Sequence, residues 1–291
     1  MSRFRLMIDL LARPRRYRYG SHPSQRADLY LPEAPGPHPV AVVIHGGSWQ
    51  DGFGKVVTRP VSVDLVRQGW AVWNIEYRRV GSPTAGGGWP ATFEDVATAI
   101  DRLADVDAPL ALDRTVVVGH SAGGHLAVWA AGRDRLPAGA PGAQPRLRFT
   151  AAVSLAGVND LVGAYDGWPP RGGAVGALMH CSPRECPEVY ALADPIQQVP
   201  VAPAVLLVHG TDDEVVSVIR SRDYARAAEA AGGDVRLVEI AGAAGEHRSL
   251  INPYDEGWAV ARAWLSEWRD RPRGNAAVEV AAAAGGRRLL R

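Results

Sequence analysis

The sequence predicts an α/β fold in which a mostly parallel sheet carries helices on both faces. Short apolar runs rich in β-branched residues, such as 40–44 and 116–118, alternate along the chain with longer segments of helical spacing. Gly- and Pro-rich stretches separate these runs, and no internal repeat is visible. Such alternation is typical of βαβ units with right-handed crossovers, in which ligands bind beyond the carboxyl ends of the strands.

Composition sets the class of protein. The chain has 291 residues, 47% hydrophobic and 22% charged, which is ordinary for one soluble α/β domain. A net charge of +1 gives no reason to expect nucleic acid or an anionic membrane as a partner. The basic N-terminus lacks a cleavage site, and no run approaches the roughly 18 apolar residues of a membrane span. We therefore expect a cytoplasmic protein.

The number of cysteines, two, favours neither a disulfide framework nor a metal site. Cys181 and Cys186 are too few for a disulfide framework and suit a reducing compartment. With only His180 beside them, they also lack the further ligands of a zinc site. We expect no bound metal at this pair.

The pattern of the chain places the remaining elements. Apolar or alternating runs predict strands at 26–31, 40–44, 70–75, 116–118, 149–156, 203–208 and 235–240. Segments with helical spacing predict helices at 56–68, 92–103, 125–131, 220–231 and 258–268. We expect helix 92–103 to begin with a capping box formed by Thr92 and Asp95.

Residues 115–131 place a serine between an apolar strand and an apolar helix. The centre reads Gly119-His120-Ser121-Ala122-Gly123, the G-x-S-x-G spacing of a nucleophile elbow. The sharp turn strains the serine backbone and points its hydroxyl outward, and the glycines leave room where a Cβ would clash. Amide groups at the helix N-terminus face any negative charge that forms beside Ser121. We predict Ser121 as a nucleophile; the alternative is a Gly/Ser turn without chemistry.

A serine hydroxyl needs a base that takes its proton, and a histidine oriented by a carboxylate supplies one. Beyond His209, the sequence contains one further histidine, His247. It follows the last predicted strand on a glycine-rich loop that can reach across the sheet. We predict His247 as the base; the alternative is a surface histidine.

Two motifs together resemble a known superfamily. The elbow around Ser121 and the upstream His45-Gly46-Gly47-Ser48-Trp49 are similar to those of α/β hydrolases. Within that superfamily they resemble the H-G-G esterases, which include hormone-sensitive-lipase-like, feruloyl/acetyl-xylan-esterase-like and kynurenine-formamidase-like groups. The resemblance covers about residues 25 to 268. It implies the α/β-hydrolase fold with a short lid insertion.

The resemblance also implies an oxyanion hole, a set of N–H donors that stabilises the charge of a tetrahedral intermediate. Its expected donors are the amides of Gly47, Ser48 and Ala122. Trp49 is expected either to line the substrate pocket or to pack in the core. His45 is expected to hold the loop by hydrogen bonding rather than to act as a base.

The acid is chosen by the same resemblance. The family spacing H-G-x-x-D matches the segment from His209 to Asp213 and selects Asp213. Asp212, in the same turn, is one alternative. Asp160, which follows the strand at 149–156, is another, because some relatives carry their acid there.

Two further histidines flank Ser121 in sequence. His120 precedes it, and His125 lies four residues after it. The helical turn carries both side chains away from the serine hydroxyl. We expect them to pack or hydrogen-bond beneath the elbow rather than to catalyse.

The chain divides into three parts on this interpretation. Residues 1–24 form a basic lead-in, residues 25–269 the hydrolase domain, and residues 270–291 a disordered tail without periodicity. Within the domain, residues 162–199 are expected to be irregular and to form a short lid beside a fairly open site.

These residues predict a serine hydrolase that cleaves a carboxylic ester through an acyl-enzyme. The resemblance leaves an aryl formamidase acting on N-formylkynurenine, or another amide or peptide-type acyl hydrolase, as alternatives. Two further alternatives are an acyl-transferring enzyme of a biosynthetic pathway and a non-catalytic binding protein on a hydrolase scaffold. The expected partner is a small-molecule ester or amide, without nucleic acid or membrane, on a monomer or homodimer. No metal or organic cofactor is expected.

Overall fold

A computed structural model of the chain describes residues 13–82, 84–168, 171–201 and 203–271. In these ranges one eight-stranded sheet runs through the molecule. Its strands are β1 (Arg15–Arg18), β2 (Arg26–Tyr30), β3 (His38–Ile44), β4 (Ala71–Ile75), β5 (Leu110–His120), β6 (Ala151–Leu155), β7 (Ala204–Gly210) and β8 (Val235–Ile240).

The strands lie in the order β1-β2-β4-β3-β5-β6-β7-β8. β2 pairs antiparallel with both β1 and β4, and the other neighbouring pairs are parallel. The carboxyl ends of the six parallel strands therefore meet at one edge, and the motifs predicted from the sequence follow strands at this edge. The predicted α/β class and the mostly parallel sheet are confirmed.

Helices cover both faces of the sheet. They are α1 (Arg59–Arg67), α2 (Ala91–Asp101), α3 (Ala122–Ala131), α4 (Leu161–Gly167), α5 (Gly173–Met179), α6 (Pro187–Ala193), α7 (Ile219–Ala230) and α8 (Glu256–Asp270). Apolar side chains of α2, α3 and α7 form one core layer with one face of the sheet. Those of α1 and α8, including Leu65 and Trp258, form a second layer on the opposite face. No helix within the described ranges is long and apolar enough to cross a membrane.

β1 lies inside the segment predicted as a lead-in. Its side chains are Arg15, Arg16, Tyr17 and Arg18, and the three arginines are exposed. Tyr17 packs against Trp73 with their ring centroids 5.2 Å apart. As an outer strand held by one aromatic ring, β1 does not need alternating apolar residues. The pattern that predicts strands is therefore absent from it. Residues 1–12 of the predicted lead-in and residues 272–291 of the predicted tail lie outside the described residues.

The predicted capping box is wrong. No side chain caps α2, which begins after Pro90. Thr92 Oγ1 instead donates to the Arg78 carbonyl at 2.7 Å. The Asp95 carboxylate, only 1% exposed, accepts hydrogen bonds at 2.7 Å from both Arg78 and Gln25. A buried carboxylate requires charged or polar partners, and here that requirement takes the side chain away from the helix terminus.

The lid segment is more regular than the sequence suggested. Residues 162–199, expected to be irregular, contain most of α4 and all of α5 and α6. The two cysteines, too few for a framework, nonetheless form one disulfide, Cys181–Cys186, between α5 and α6. Their Cα atoms lie 6.4 Å apart, within the range that a disulfide spans. Counting cysteines did not reveal this pairing, because it depends on the turn between two unpredicted helices.

An ion pair between a buried arginine and a half-buried aspartate ties α2 to the segment after α3. Arg133 is 1% exposed and donates to both carboxylate oxygens of Asp101, at 2.7 and 3.2 Å. Its Nε also donates to the Gly142 carbonyl at 2.6 Å. Removing the guanidinium therefore takes one hydrogen bond from the Gly142 carbonyl and two from the Asp101 carboxylate, which keeps the Arg146 amide at 3.2 Å.

We expect Arg133→Met to lower the free energy of unfolding by about 1–3 kcal/mol, because the half-buried Asp101 loses its counter-charge and two hydrogen bonds. Urea unfolding followed by circular dichroism measures the change. The matched control is Arg146→Met, which removes a two-bond pair with Asp105 on the surface and should leave the midpoint nearly unchanged. Equal midpoint shifts in the two variants would contradict the role assigned to Arg133.

Candidate active site

The turn from β5 into α3 has the geometry of a nucleophile elbow. Ser121 lies between the two elements with φ 55° and ψ −123°, a conformation that non-glycine residues rarely adopt. Its amide donates to the Leu155 carbonyl of β6 at 2.8 Å, which holds the strained residue in place. Ser121 is 4% exposed, and its side chain lines a cavity at the carboxyl edge of the sheet.

Two glycines allow the backbone segments of the elbow to approach. A Cβ on Gly119 would lie 1.9 Å from the Gly123 carbonyl oxygen, and a Cβ on Gly123 would lie 2.2 Å from the Ile44 carbonyl oxygen. Both contacts are with backbone atoms, so no side-chain movement relieves them. The G-x-S-x-G spacing is thus a steric requirement of this turn.

The loop after β3 meets the elbow. Gly47, Ser48 and Trp49 have φ of 115°, 53° and 55°, three consecutive residues in the left-handed region. A Cβ on Gly46 would lie 3.0 Å from the Ser121 Cβ. Ser48, Trp49, Ser121 and Ala122 line the same cavity. The structure therefore brings two of the three predicted donors, Ser48 and Ala122, to the cavity that Ser121 lines.

His45 fixes the start of this loop through its hydrogen bonds. Its Nδ1 lies 2.8 Å from the Gly46 carbonyl, and its Nε2 lies 2.7 Å from Glu76 Oε1. Tyr77 stacks on the ring at 4.4 Å between centroids and donates its hydroxyl to the His45 carbonyl. Burial opposes the charge of Glu76, but attraction to His45 and Arg79 outweighs it and lowers the pKa of Glu76 to about 2. The partners Glu76 and Tyr77 were not predicted, because only the pairing of β4 beside β3 brings them to His45.

The predicted acid and base lie in contact. His247 Nδ1 is 2.7 Å from Asp213 Oδ2. Asp213 Oδ1 accepts the amides of Val215 and Val216 at 2.8 and 3.0 Å. Burial opposes the charge on Asp213, but the hydrogen bonds from His247 and the Val216 amide lower its pKa. The carboxylate is therefore ionised at neutral pH and orients the imidazole.

The two alternative acids have other contacts. Asp212 accepts the Thr211 hydroxyl at 2.9 Å on the surface. Asp160 caps α4 by accepting the Gly163 amide at 2.8 Å, and its other oxygen lies 2.5 Å from Arg220 Nη1. Among the three candidate carboxylates, Asp213 is the one in hydrogen-bond contact with His247.

His209 supports the acid turn and was not predicted to do so. Its Nε2 lies 2.8 Å from the Val216 carbonyl, and its Nδ1 lies 2.7 Å from the Ser221 hydroxyl. Burial lowers the pKa of His209, so the ring is neutral and donates through Nε2. The H-G-x-x-D spacing contains this histidine, but its partner Ser221 comes from α7 and is not evident from the motif.

The histidines that flank Ser121 differ in their contacts. His125 Nε2 lies 3.0 Å from the Ala193 carbonyl at the end of α6, and burial lowers its pKa to about 4. His125 thus ties the elbow helix to the lid. His120 Nε2 lies 2.8 Å from the His247 carbonyl, with the two rings 4.5 Å apart between centroids. The expectation that both hydrogen-bond rather than act on the serine matches these contacts.

The cavity beside Ser121 has a volume of about 200 Å³. Its walls carry no charged side chain among the described residues; they are formed by Ser48, Trp49, Ser121, Ala122, Val158, Trp168, Ala174, Val215 and Val216. Trp168 and Ala174 belong to the lid segment. Trp49 both lines the cavity and packs edge-on against His125 at 5.3 Å, so the two expectations for it are compatible. In the described part of the chain, no group of three or more His, Cys, Asp or Glu side chains is arranged to hold a metal ion.

Residues 27–227 match the family model described as BD-FAE. The chain belongs to the BD-FAE family. The BD-FAE match includes the loop after β3, the elbow and the acid turn, whereas His247 lies beyond its end. The resemblance to H-G-G hydrolases is confirmed at the level of the α/β-hydrolase superfamily.

Two relatives from Mycobacterium tuberculosis (strain ATCC 25618 / H37Rv) are similar in sequence. Esterase LipC is 33% identical over 247 residues, which are 79% of this chain and 58% of LipC. Probable carboxylic ester hydrolase LipM is 31% identical over 209 residues, 69% of this chain and 46% of LipM. The chain spans about half the length of these relatives.

One solved structure with the same architecture is esterase B from Lactobacillus Rhamnosis (HN001). It superposes with a TM-score of 0.75 at 18% sequence identity, covering 98% of this chain and 94% of that chain. At this level of identity the likeness concerns the fold. The predicted α/β-hydrolase fold is confirmed.

We expect Gly123→Ala to destabilise the chain by at least about 1–3 kcal/mol, because the new methyl group would overlap backbone oxygens of β3 and its loop. Thermal unfolding of the purified variant measures the loss. Gly167→Ala, at a position where a Cβ meets nothing within 4 Å, is the matched control and should unfold like the parent. A Gly123→Ala variant with an unchanged midpoint would contradict the steric argument.

Proposed function

We propose that this chain hydrolyses carboxylic esters by nucleophilic catalysis at Ser121. The observation that carries the proposal is the 2.7 Å contact between His247 and Asp213 beside the elbow. His247 is joined to the residue before Ser121 by the 2.8 Å contact between its carbonyl and His120. An imidazole oriented by an ionised carboxylate is the base that a serine hydroxyl requires.

Each predicted residue then has one task. His247 takes the proton of Ser121 as the hydroxyl attacks the acyl carbon, and later gives it to the leaving alcohol. Asp213 keeps the imidazole in the required tautomer and stabilises the imidazolium that forms. The amides of Gly47, Ser48 and Ala122 stabilise the oxyanion, and water then hydrolyses the acyl-enzyme.

The sequence relatives favour an ester as the substrate class. LipC is named an esterase and LipM a probable carboxylic ester hydrolase. The cavity walls argue in the same direction, because they are apolar apart from two serine hydroxyls. N-formylkynurenine carries an ammonium group and a carboxylate group. These cavity walls offer no charged side chain that could pair with either group. An ester with a small neutral acyl group fits this cavity better.

We expect Ser121→Ala to lower kcat for p-nitrophenyl acetate by about 10⁴–10⁶-fold, because the nucleophile is removed. Asp213→Asn should lower kcat by about 10⁴-fold, because the amide favours the wrong tautomer of His247. Initial rates with active-site titration by a fluorophosphonate measure both. Asp212→Asn is the matched control and should retain the parental rate.

Full hydrolysis by the Ser121→Ala variant would refute the proposed function. Parental protein that neither hydrolyses any ester of a broad panel nor reacts with the fluorophosphonate would point instead to a binding protein on a hydrolase scaffold. Equal losses in Asp212→Asn and Asp213→Asn would contradict the assignment of the acid.

We expect kcat/KM to be highest for short acyl chains. A cavity of about 200 Å³ holds roughly seven atoms of water size, at the ~30 Å³ that one water occupies. A series of p-nitrophenyl esters from acetate to decanoate, with N-formylkynurenine beside it, tests this expectation. Efficiency should be greatest up to roughly six acyl carbons and should fall for decanoate.

Trp168→Ala should move the preference toward longer chains, because it removes the indole that the lid contributes to the cavity wall. Trp264→Ala, on α8 at the other face of the sheet, is the control and should leave the preference unchanged. Highest efficiency on decanoate would contradict the expected preference for short acyl chains. Faster turnover of N-formylkynurenine than of every ester would contradict an ester as the substrate class.

A further inference from the structure

His120 lies between the two loops that the proposed mechanism brings together. It is the last residue of β5 and directly precedes Ser121. Its Nε2 lies 2.8 Å from the backbone carbonyl of His247. On its other side, a Cβ on Gly46 would lie 3.1 Å from His120 Nδ1. One imidazole ring therefore fills the space between the oxyanion loop and the loop that carries the base.

The contact with His247 fixes the protonation of this ring. A carbonyl oxygen only accepts hydrogen bonds, so the Nε2 of His120 carries the hydrogen. The ring is 6% exposed, and burial together with repulsion from His247 lowers the pKa of His120 to about 3. The other ionisable groups that act on it are Asp213, which raises the pKa, and His209, which lowers it. His120 is therefore a neutral donor at neutral and mildly acidic pH.

The base loop needs such a contact. His247 lies between the short 3₁₀ helices Gly242–Gly245 and Ser249–Ile251, and its ring is held at Nδ1 by Asp213. A single hydrogen bond at one ring atom leaves the ring free to swing about that atom. A second attachment at the backbone carbonyl of the same residue limits this motion. His120, the last residue of β5, supplies it, so one strand positions both the nucleophile that follows it and the loop of the base.

We propose that His120 is a positioning residue that aligns the His247 imidazole with the Ser121 hydroxyl by holding the His247 backbone. The proposal rests on the proposed function, because it concerns the base of that mechanism. His120 itself takes no proton in the reaction. Its contribution is geometric, since a displacement of about 1 Å between reacting groups costs up to ~10²-fold in rate.

The test compares two amides that differ in reach. His120→Gln extends its amide nitrogen about as far as Nε2 and retains the bond to the His247 carbonyl, whereas His120→Asn is too short. We expect His120→Asn to lower kcat by about 10–100-fold with KM changed less than about twofold, and His120→Gln to recover most of the loss. Rates of Ser121 labelling by the fluorophosphonate should follow the same order.

His38 provides the matched control. It is also 6% exposed, and its Nε2 lies 3.0 Å from the Ala34 carbonyl at the amino end of β3, the opposite edge of the sheet. His38→Asn and His38→Gln should alter thermal stability without altering kcat. A loss of kcat in His38→Asn equal to that in His120→Asn would show a general effect of losing a buried histidine and would overturn the proposal.

The pH profile tests the neutral-donor assignment separately from the positioning role. Because His120 is neutral, His120→Gln removes no charge and should leave the acid limb of the kcat/KM profile in place. A shifted limb would overturn the neutral-donor assignment. Parental kcat in His120→Asn would refute the positioning role while leaving the proposed function intact, whereas full activity of Ser121→Ala would refute that function itself.

Discussion

The close backbone crossing at the elbow is the constraint on which the rest of the site depends. Gly119 and Gly123 touch across the turn, and Gly123 also touches the end of β3, with no room for a Cβ at either position. Ser121 is left in a strained conformation that costs of order 1–3 kcal/mol and persists because its surroundings hold it. Since this crossing joins β3, β5 and α3, the loop after β3 and the serine cannot move independently.

Two histidine–carboxylate contacts of equal length serve different ends. His45 and Glu76 lie 2.7 Å apart, as do His247 and Asp213. The ring of His45 is fully buried and its second nitrogen faces a backbone carbonyl, so the pair anchors the loop after β3. The side chain of His247 keeps 12% of its surface exposed, beside the elbow. The same pair of residue types therefore gives a structural support in one place and a candidate base in the other, according to what lies beyond the imidazole.

Much of the fold and the candidate residues Ser121 and His247 could be predicted from local pattern, and the family resemblance selected Asp213 and the oxyanion loop. The buried strands are apolar on both faces, and the elbow and H-G-G motifs are constrained by backbone sterics that glycine alone satisfies. The supports of the site were not accessible in this way. Glu76 contacts His45, and Ser221 contacts His209, only after the strands pair and the helices pack. The spacing of these residues in the sequence does not indicate either contact. The capping role predicted for Asp95 was wrong for the same reason, because its partner Arg78 comes from the loop after β4.

Within the described ranges, β1 and β8 are the two outer strands of the sheet, and their composition affects how molecules of this chain associate. An unpaired strand offers free N–H and C=O groups to any other extended segment, and long apolar margins invite aggregation. β1 is four residues long and exposes three arginines, and β8 exposes Arg236 and Glu239 among its half-buried aliphatic residues. Pairing β1 with β1 of a second copy would bring the arginines of the two strands close together, and their positive charges would repel each other. The arginines that made β1 hard to recognise as a strand thus discourage intermolecular sheet extension.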